Sequence, residues 1–145
     1  MPNLTSSEES EYLFVYGTLR RSIVSSKDIR HLLDHETESL GMATVNGRLY
    51  NIGSYPGLIL SNNPEEIVMG ELYTIKNRRV VLSTFDQYEG CCEPFPKPWE
   101  YQRTTAEVTT DGGDKVRSWL YTYQWDVNEK MRIPSGDYLA FLSKS

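Results

Sequence analysis

Apolar positions recur along this chain with two different periods, and the switches between them mark the elements. Leu13, Phe14, Val15 and Tyr16 form a short run of strand-favouring residues that Gly17-Thr18 cuts off. A strand ending in glycine presents backbone N–H groups with no side chain in the way, and such groups can hold a carboxylate or a developing oxyanion. An ordinary strand-to-turn junction has the same pattern. Over residues 25–40 the spacing becomes helical: Ile29, Leu32, Leu33 and Leu40 share one side, while Lys27, Asp28, Arg30 and Asp34 share the other. Ser25 or Ser26 suits the cap and Gly41 the stop. Residues 43–51 and 66–75 return to the strand period and repeat one idea, Gly47-Arg48-Leu49-Tyr50 and Gly70-Glu71-Leu72-Tyr73. A turn at residues 53–57, a short strand at 58–60 and a second turn at 61–64 lie between them.

Residues 76–89 read as a second helix. Pro94, Pro96 and Pro98 then forbid a central strand or helix, so residues 91–100 form a semi-extended surface loop, a candidate lid. Residues 101–110 and 116–125 flank Asp111-Gly112-Gly113-Asp114 as a hairpin. On its second strand Trp119, Tyr121, Tyr123 and Trp125 face one way, Leu120 and Thr122 the other. That aromatic face can fill a core, line a pocket, or do both. Ile133-Pro134-Ser135-Gly136-Asp137-Tyr138 is a turn before a short closing element at 139–142. Many strands and two main helices without regular βαβ alternation make an α+β protein, and the Gly-x-Leu-Tyr strands with the long hairpin fit a small mixed β-barrel or highly curved sheet.

Composition narrows the function. The 145 residues amount to one domain, with polar residues 1–11 as a flexible tail and residues 12–145 as the fold. Twenty acidic against 15 basic residues give a net charge of −5, which opposes nucleic-acid binding; Arg20-Arg21 and Arg78-Arg79 are too short to reverse it. No apolar run approaches the roughly 20 residues of a membrane span. Residues 1–11 lack the basic and apolar regions of a secretory leader, which points to the cytoplasm. Cys91 and Cys92 are adjacent and read as free thiols of a reducing compartment. They cannot supply a tetrahedral metal set, and His31 and His35, four apart, lack a third ligand, so no metal is expected. Oligomeric state is not visible in the pattern.

One carboxylate stands out. At ~100° per residue Val81, Leu82, Phe85, Tyr88 and Glu89 fall in one stripe, with Asp86 towards its edge. An acid there ends an apolar face one residue before Gly90, which can stop the helix. Partial burial and the negative end of the helix dipole both raise its pKa, the direction a general base near neutral pH requires. The pattern alone leaves open that the helix ends earlier and Glu89 reaches water.

Tyr16-Gly17-Thr18-Leu19 after an N-terminal apolar strand resembles the γ-glutamyl cyclotransferase-like family, also called AIG2-like. Further pieces match in order: Gly47-Arg48-Leu49-Tyr50, Tyr55-Pro56-Gly57, Gly70-Glu71-Leu72-Tyr73, Asp86-Gln87-Tyr88-Glu89-Gly90, Trp119-Leu120-Tyr121-Thr122-Tyr123 and Ser135-Gly136-Asp137-Tyr138. The resemblance spans residues 12–142 and implies a β-barrel with helices packed outside. It implies Glu89 as the general base, because the glutamate before glycine in this segment aligns with the family's catalytic residue. By the same resemblance Tyr16, Gly17, Thr18 and Leu19 grip the glutamyl part of a substrate, largely through backbone, with Tyr121 and Tyr123 as further walls. The implied reaction is release of 5-oxoproline from a small γ-glutamyl amine or peptide, with no cofactor, metal or nucleotide. The amine half of the substrate is left open, with residues 91–100 as the place where it is chosen.

Other acids have structural readings. Glu71 suits surface pairing, Asp137 a turn, and Arg103 a pairing with Glu107 along its strand in preference to a substrate carboxylate. Two alternatives remain at this point: a non-catalytic small-ligand module on the same scaffold, and an interaction protein using the proline-rich loop as an exposed apolar patch.

Overall fold

The computed structural model describes residues 11–17, 27–53, 55–89 and 97–143. The elements run β1 (Tyr12–Val15), α1 (Lys27–Glu36), β2 (Thr37–Asn51), β3 (Pro56–Leu60), β4 (Ile67–Ile75), α2 (Arg78–Glu89), β5 (Tyr101–Thr110), β6 (Lys115–Tyr123), a 3-10 turn (Glu129–Met131), β7 (Arg132–Ile133) and α3 (Tyr138–Ser143). Strand β2 is antiparallel to β4 and β4 to β1; β1 then runs parallel to β6 through Leu13 opposite Trp119, and β6 is antiparallel to β5. Ala43 opposite Thr110 and Thr44 opposite Thr109 return β5 to β2, so β2, β4, β1, β6 and β5 close a mixed five-stranded barrel. The far half of β2 leaves the barrel to pair with β3 and β7.

Alternation along β1 separates two apolar layers. Phe14 and Tyr16 point into the barrel with Val45, Leu72, Val108 and Leu120, and Tyr138 of α3 joins them. Leu13 and Val15 point outward and meet Leu33 of α1, Val81 and Phe85 of α2, and Trp119, Tyr121 and Tyr123 of β6. The period-2 reading of β6 therefore holds, with Leu120 inside and the aromatics outside. Helices α1 and α2 cover the outer face of the barrel, as expected for an α+β protein of this kind.

Several element boundaries differ from the expectation: β3 takes in Pro56 and Gly57 of the expected turn, α2 starts at Arg78 instead of residue 76, and two further differences are larger. Helix α1 ends at Glu36, four residues short of Leu40, and residues 37–40 open β2. Thr37 pairs with Ile75 and the β4 ladder takes over the backbone, which overrides the helical spacing of Leu40 and leaves that side chain 47% exposed. Gly41, read as a helix stop, sits instead at a bulge in β2 with φ +93°, where glycine meets no steric penalty. Strand β6 ends at Tyr123, so Trp125 lies past the ladder, packs edge-on to Tyr123 at 6.4 Å and donates Nε1–H to the Pro98 carbonyl at 3.3 Å.

The structural readings of two acids hold. Glu71 accepts hydrogen bonds from Ser39 Oγ at 2.9 Å and Tyr73 Oη at 2.6 Å. Asp137 Oδ1 accepts the Leu139 and Ala140 N–H groups at the start of α3. Among the described residues no helix is long and apolar enough to cross a membrane. Residues 1–10, the Ser25 or Ser26 cap, Gly90 and residues 91–96 with both cysteines lie outside the described residues.

Candidate active site

The geometry of the site follows from where α2 ends. Val81, Leu82 and Phe85 are buried against the outward face of β1 and β6. Glu89, four residues after Phe85, continues that stripe past the edge of the apolar layer. Its carboxylate enters a cavity of about 260 Å³. The end of β1, Gly17, Tyr55, Pro56, Phe85, Glu100, Tyr101 and Tyr121 complete the lining. The acid at the close of α2 and the glycine bend after β1 therefore face the same space.

Hydrogen bonds fix the walls. Tyr16 Oη donates to the Tyr121 carbonyl at 2.7 Å, tying the end of β1 to β6. Tyr101 Oη donates to the Pro56 carbonyl at 2.6 Å. Tyr55 Oη donates to Glu100 Oε2 at 2.6 Å. Gly17 lies so close to Pro56 that an added Cβ would sit 2.6 Å from Pro56 Cγ, so the bend admits no side chain without moving that wall.

The cavity's charge is negative. Glu89 and Glu100 line it, and no lysine, arginine or histidine does so among the described residues. Glu89 keeps part of its surface open to the cavity. Desolvation nevertheless dominates and pushes its pKa up to about 8, with Glu100 and then Asp86 adding to the rise. Burial also holds the Tyr16 phenol well above its usual value, with Glu89 reinforcing it. The Tyr55 phenol is raised to about 12, chiefly by its hydrogen bond to Glu100. A carboxylic acid poised near neutrality beside tyrosines that stay protonated can exchange a proton with a bound cation.

Three residues earlier on the same helix, Asp86 is placed differently. It accepts Arg103 Nη1–H at 2.8 Å and Tyr121 Oη–H at 2.7 Å. Arg103 lies over the Trp119 ring at 4.9 Å. The pairing expected between Arg103 and Glu107 is therefore corrected. Helix α2 crosses the outer face of β5 and β6, and brings Asp86 within salt-bridge distance of Arg103.

Of the residues singled out in the sequence, Tyr16, Gly17, Glu89 and Tyr121 line one cavity. Tyr123 does not; it packs behind Tyr101, ring centroids 5.4 Å apart, and backs the wall instead of forming it. Thr18 and Leu19 lie outside the described residues. His31 and His35 stack on the exposed face of α1 at 4.0 Å, and no cluster of three or more metal-ligating side chains occurs among the described residues. Four lining residues had no site role in the sequence reading. Tyr55 and Pro56 stood inside a quoted motif, Tyr101 opened a strand, and Glu100 carried no signal beyond ending the proline-rich loop.

Comparison with known proteins agrees with this layout. The family model described as "Gamma-glutamyl cyclotransferase, AIG2-like" matches residues 13–140. The gamma-glutamylcyclotransferase family protein YtfP of Escherichia coli K12 is 32% identical over 128 residues, covering 88% of this chain and 95% of that protein. A crystal structure of an AIG2-like protein from Mus musculus superposes with a TM-score of 0.68 at 25% identity, over 88% of this chain and 87% of the other. YkqA from Bacillus subtilis superposes with a TM-score of 0.64 at 26% identity, over 92% of this chain; the match spans 42% of the longer YkqA chain.

Proposed function

Because the chain belongs to the gamma-glutamyl cyclotransferase, AIG2-like family, we propose that its cavity closes the ring of a small γ-glutamyl amine or peptide and releases 5-oxoproline, with Glu89 as the general base. The observation that carries the reading is the shared cavity of Glu89 and the Tyr16-Gly17 bend. At about 260 Å³ the cavity is just below the range of drug-sized pockets and suits a glutamyl unit with the start of its leaving group.

The reaction balances without an enzyme nucleophile. Glu89, as carboxylate, takes one proton from the substrate's α-ammonium. The freed amine attacks the γ-amide carbonyl, forming the ring C–N bond and moving the carbonyl electron pair onto oxygen. In this reading the backbone of Gly17, which lines the cavity, receives that oxyanion or the substrate's α-carboxylate. Collapse of the tetrahedral centre breaks the original amide C–N bond. The departing nitrogen takes the proton back from Glu89, and the ring nitrogen gives up its surplus proton to the released amine, so a neutral lactam and an ammonium leave and Glu89 returns to its starting state. Holding amine and carbonyl in contact can supply up to ~7–11 kcal/mol of the barrier.

The pKa of about 8 serves both halves of this cycle. An ordinary carboxylate is too weak a base for an ammonium; one raised towards the amine's own pKa exchanges the proton at less cost. The test is an assay for 5-oxoproline over a panel of γ-glutamyl compounds, with Glu89→Gln alongside. Turnover that the variant abolishes supports the reading. Equal turnover by the variant removes Glu89 as the base, and no turnover of any compound favours a ligand-binding module on this scaffold.

A further inference from the structure

Glu100 has no part in the ring closure just described, yet it lines the same cavity. It sits immediately before β5, where Tyr101 is bound to the Pro56 carbonyl. Its own Oε2 is held by Tyr55, and Tyr55 is 37% exposed, so this carboxylate stands on the solvent side of the site. Tyr16 and Gly17, by contrast, are buried and mark the inner part of the lining. A glutamyl unit held at the inner end by the bend directs its γ-amide, and whatever follows it, outward past Glu100.

Resting on the proposed ring closure, we infer that Glu100 is a specificity-determining residue that makes the site prefer γ-glutamyl amides whose leaving amine carries a second, positively charged group, and disfavour those whose leaving amine carries a carboxylate. The tyrosine that holds Glu100 occupies one of its two oxygens; Oε1 has no partner among the described residues and remains to meet a ligand. Of the two basic residues three positions away along the chain, Lys97 has its Nζ over the Trp99 ring at 5.1 Å and Arg103 is paired with Asp86. A carboxylate on the leaving group meets repulsion from Glu100 with no cationic side chain among the described lining residues to offset it. An ammonium there meets a fixed, oriented counter-charge and can form a charge-assisted hydrogen bond to it.

Three isosteric probes isolate the charge: the γ-glutamyl amides of butylamine, of 1,4-diaminobutane and of 4-aminobutanoic acid. They share the reacting end and the four-carbon leaving chain and differ in terminal charge. For the native chain kcat/KM, read as 5-oxoproline formed, should fall from the diamine amide through the butylamide to the acid amide, with at least about tenfold between the extremes. That spread should shrink as salt is raised, as a charge-driven preference does. In Glu100→Gln the ratio of diamine to butylamide should collapse to within about twofold. Taking the ratio inside each variant cancels any change in the strength of Glu89. Glu100→Asp keeps the charge and should keep the order, a rescue that a purely structural role would not produce.

A flat series in the native chain, or a ratio that Glu100→Gln leaves unchanged, overturns the inference while ring closure stands. If none of the three amides yields 5-oxoproline, ring closure itself fails. Calorimetric affinities of the same amides for the native chain and for Glu100→Gln then decide the charge preference independently: the same order, lost in the variant, supports it, and equal affinities overturn it.

Discussion

Helix α2 carries two acids three residues apart whose surroundings are opposite. Asp86 is met by Arg103, which is itself stacked on Trp119, and by the Tyr121 hydroxyl. Glu89 is met by a cavity, by a second carboxylate in the same lining, and by no cation among the described lining residues. The same residue chemistry thus does two jobs. A paired acid fastens the helix to the outer face of β5 and β6. An acid facing an open cavity is destabilised as an anion and becomes sensitive to any cation that enters. The difference arises from one turn of helix: Asp86 lies over the sheet, where a strand can supply an arginine, and Glu89 lies past its edge.

The largest effect separating the two should come from Glu89→Gln. Removing a positioned general base costs about 10²- to 10⁴-fold in kcat. The shape of the change should be nearly conserved, so KM should move far less than kcat. The native chain should also show an acidic limb in kcat/KM, rising with pH towards a plateau above the pKa of about 8. Steady-state kinetics from pH 6 to pH 9 checks both; a native profile without that limb detaches activity from Glu89.

The same group makes a prediction about stability. Glu89 has a folded pKa of about 8 against an ordinary value of 4.5. A carboxyl whose pKa is raised by folding stabilises the fold fully below its unfolded value, and that stability is lost as pH rises through the folded value. Groups facing it are Glu100, Asp86 with its Arg103, and the phenols of Tyr16 and Tyr101, and both phenols are raised further above neutrality. Denaturant unfolding of native and Glu89→Gln chains should therefore diverge between pH 4.5 and pH 8 in favour of the variant, by on the order of 5 kcal/mol at most, and run parallel above that. A constant difference across this range contradicts the buried, proton-holding state of Glu89.

Much of the comparison was legible before the fold was known. The apolar stripe Val81, Leu82, Phe85 pointed to Glu89 because both its ends lie within one helix, and residues 101–110 were readable as a strand because their pairing partner follows a tight turn. What was not legible depends on partners far away in sequence. Glu100 became part of the site only through Tyr55, 45 residues earlier. Arg103 had a plausible local partner in Glu107, and the winning one came from a helix 17 residues back. Leu40 kept a helical spacing, and the β4 ladder overruled it. Local period survives where an element pairs with its neighbour in sequence and fails where a distant strand competes for the backbone.

A smaller effect tests the cavity wall without touching either acid. Gly17→Ala places a methyl 2.6 Å from Pro56 Cγ, and Pro56 is held by Tyr101 through its carbonyl. Overpacking of this kind costs about 1–3 kcal/mol. The strain bears on the bend that faces Glu89, so kcat/KM should fall together with Tm. Tyr123→Phe, behind the wall, should change kcat/KM by less than about threefold, since its ring contacts persist. Equal losses in the two variants would mean that wall and backing are not distinct.

The smallest predicted change comes from the paired acid itself. Asp86→Asn removes the charge that Arg103 meets and weakens the bond from Tyr121, at about 1–3 kcal/mol of stability for a half-buried charged hydrogen bond. Its kinetic signature is distinct. Asp86 contributes to the raised pKa of Glu89 after burial and after Glu100. Its neutralisation should move the acidic limb of kcat/KM to lower pH, and by less than Glu100→Gln moves it. The order of these two displacements is informative because the distances along the chain suggest the reverse: Asp86 is three residues from Glu89 on one helix, Glu100 eleven residues beyond it and just before β5. A larger shift from Asp86→Asn would show that Arg103 leaves Asp86 enough field to govern the base, and the contrast between a fastening acid and a working one would lose its electrostatic half.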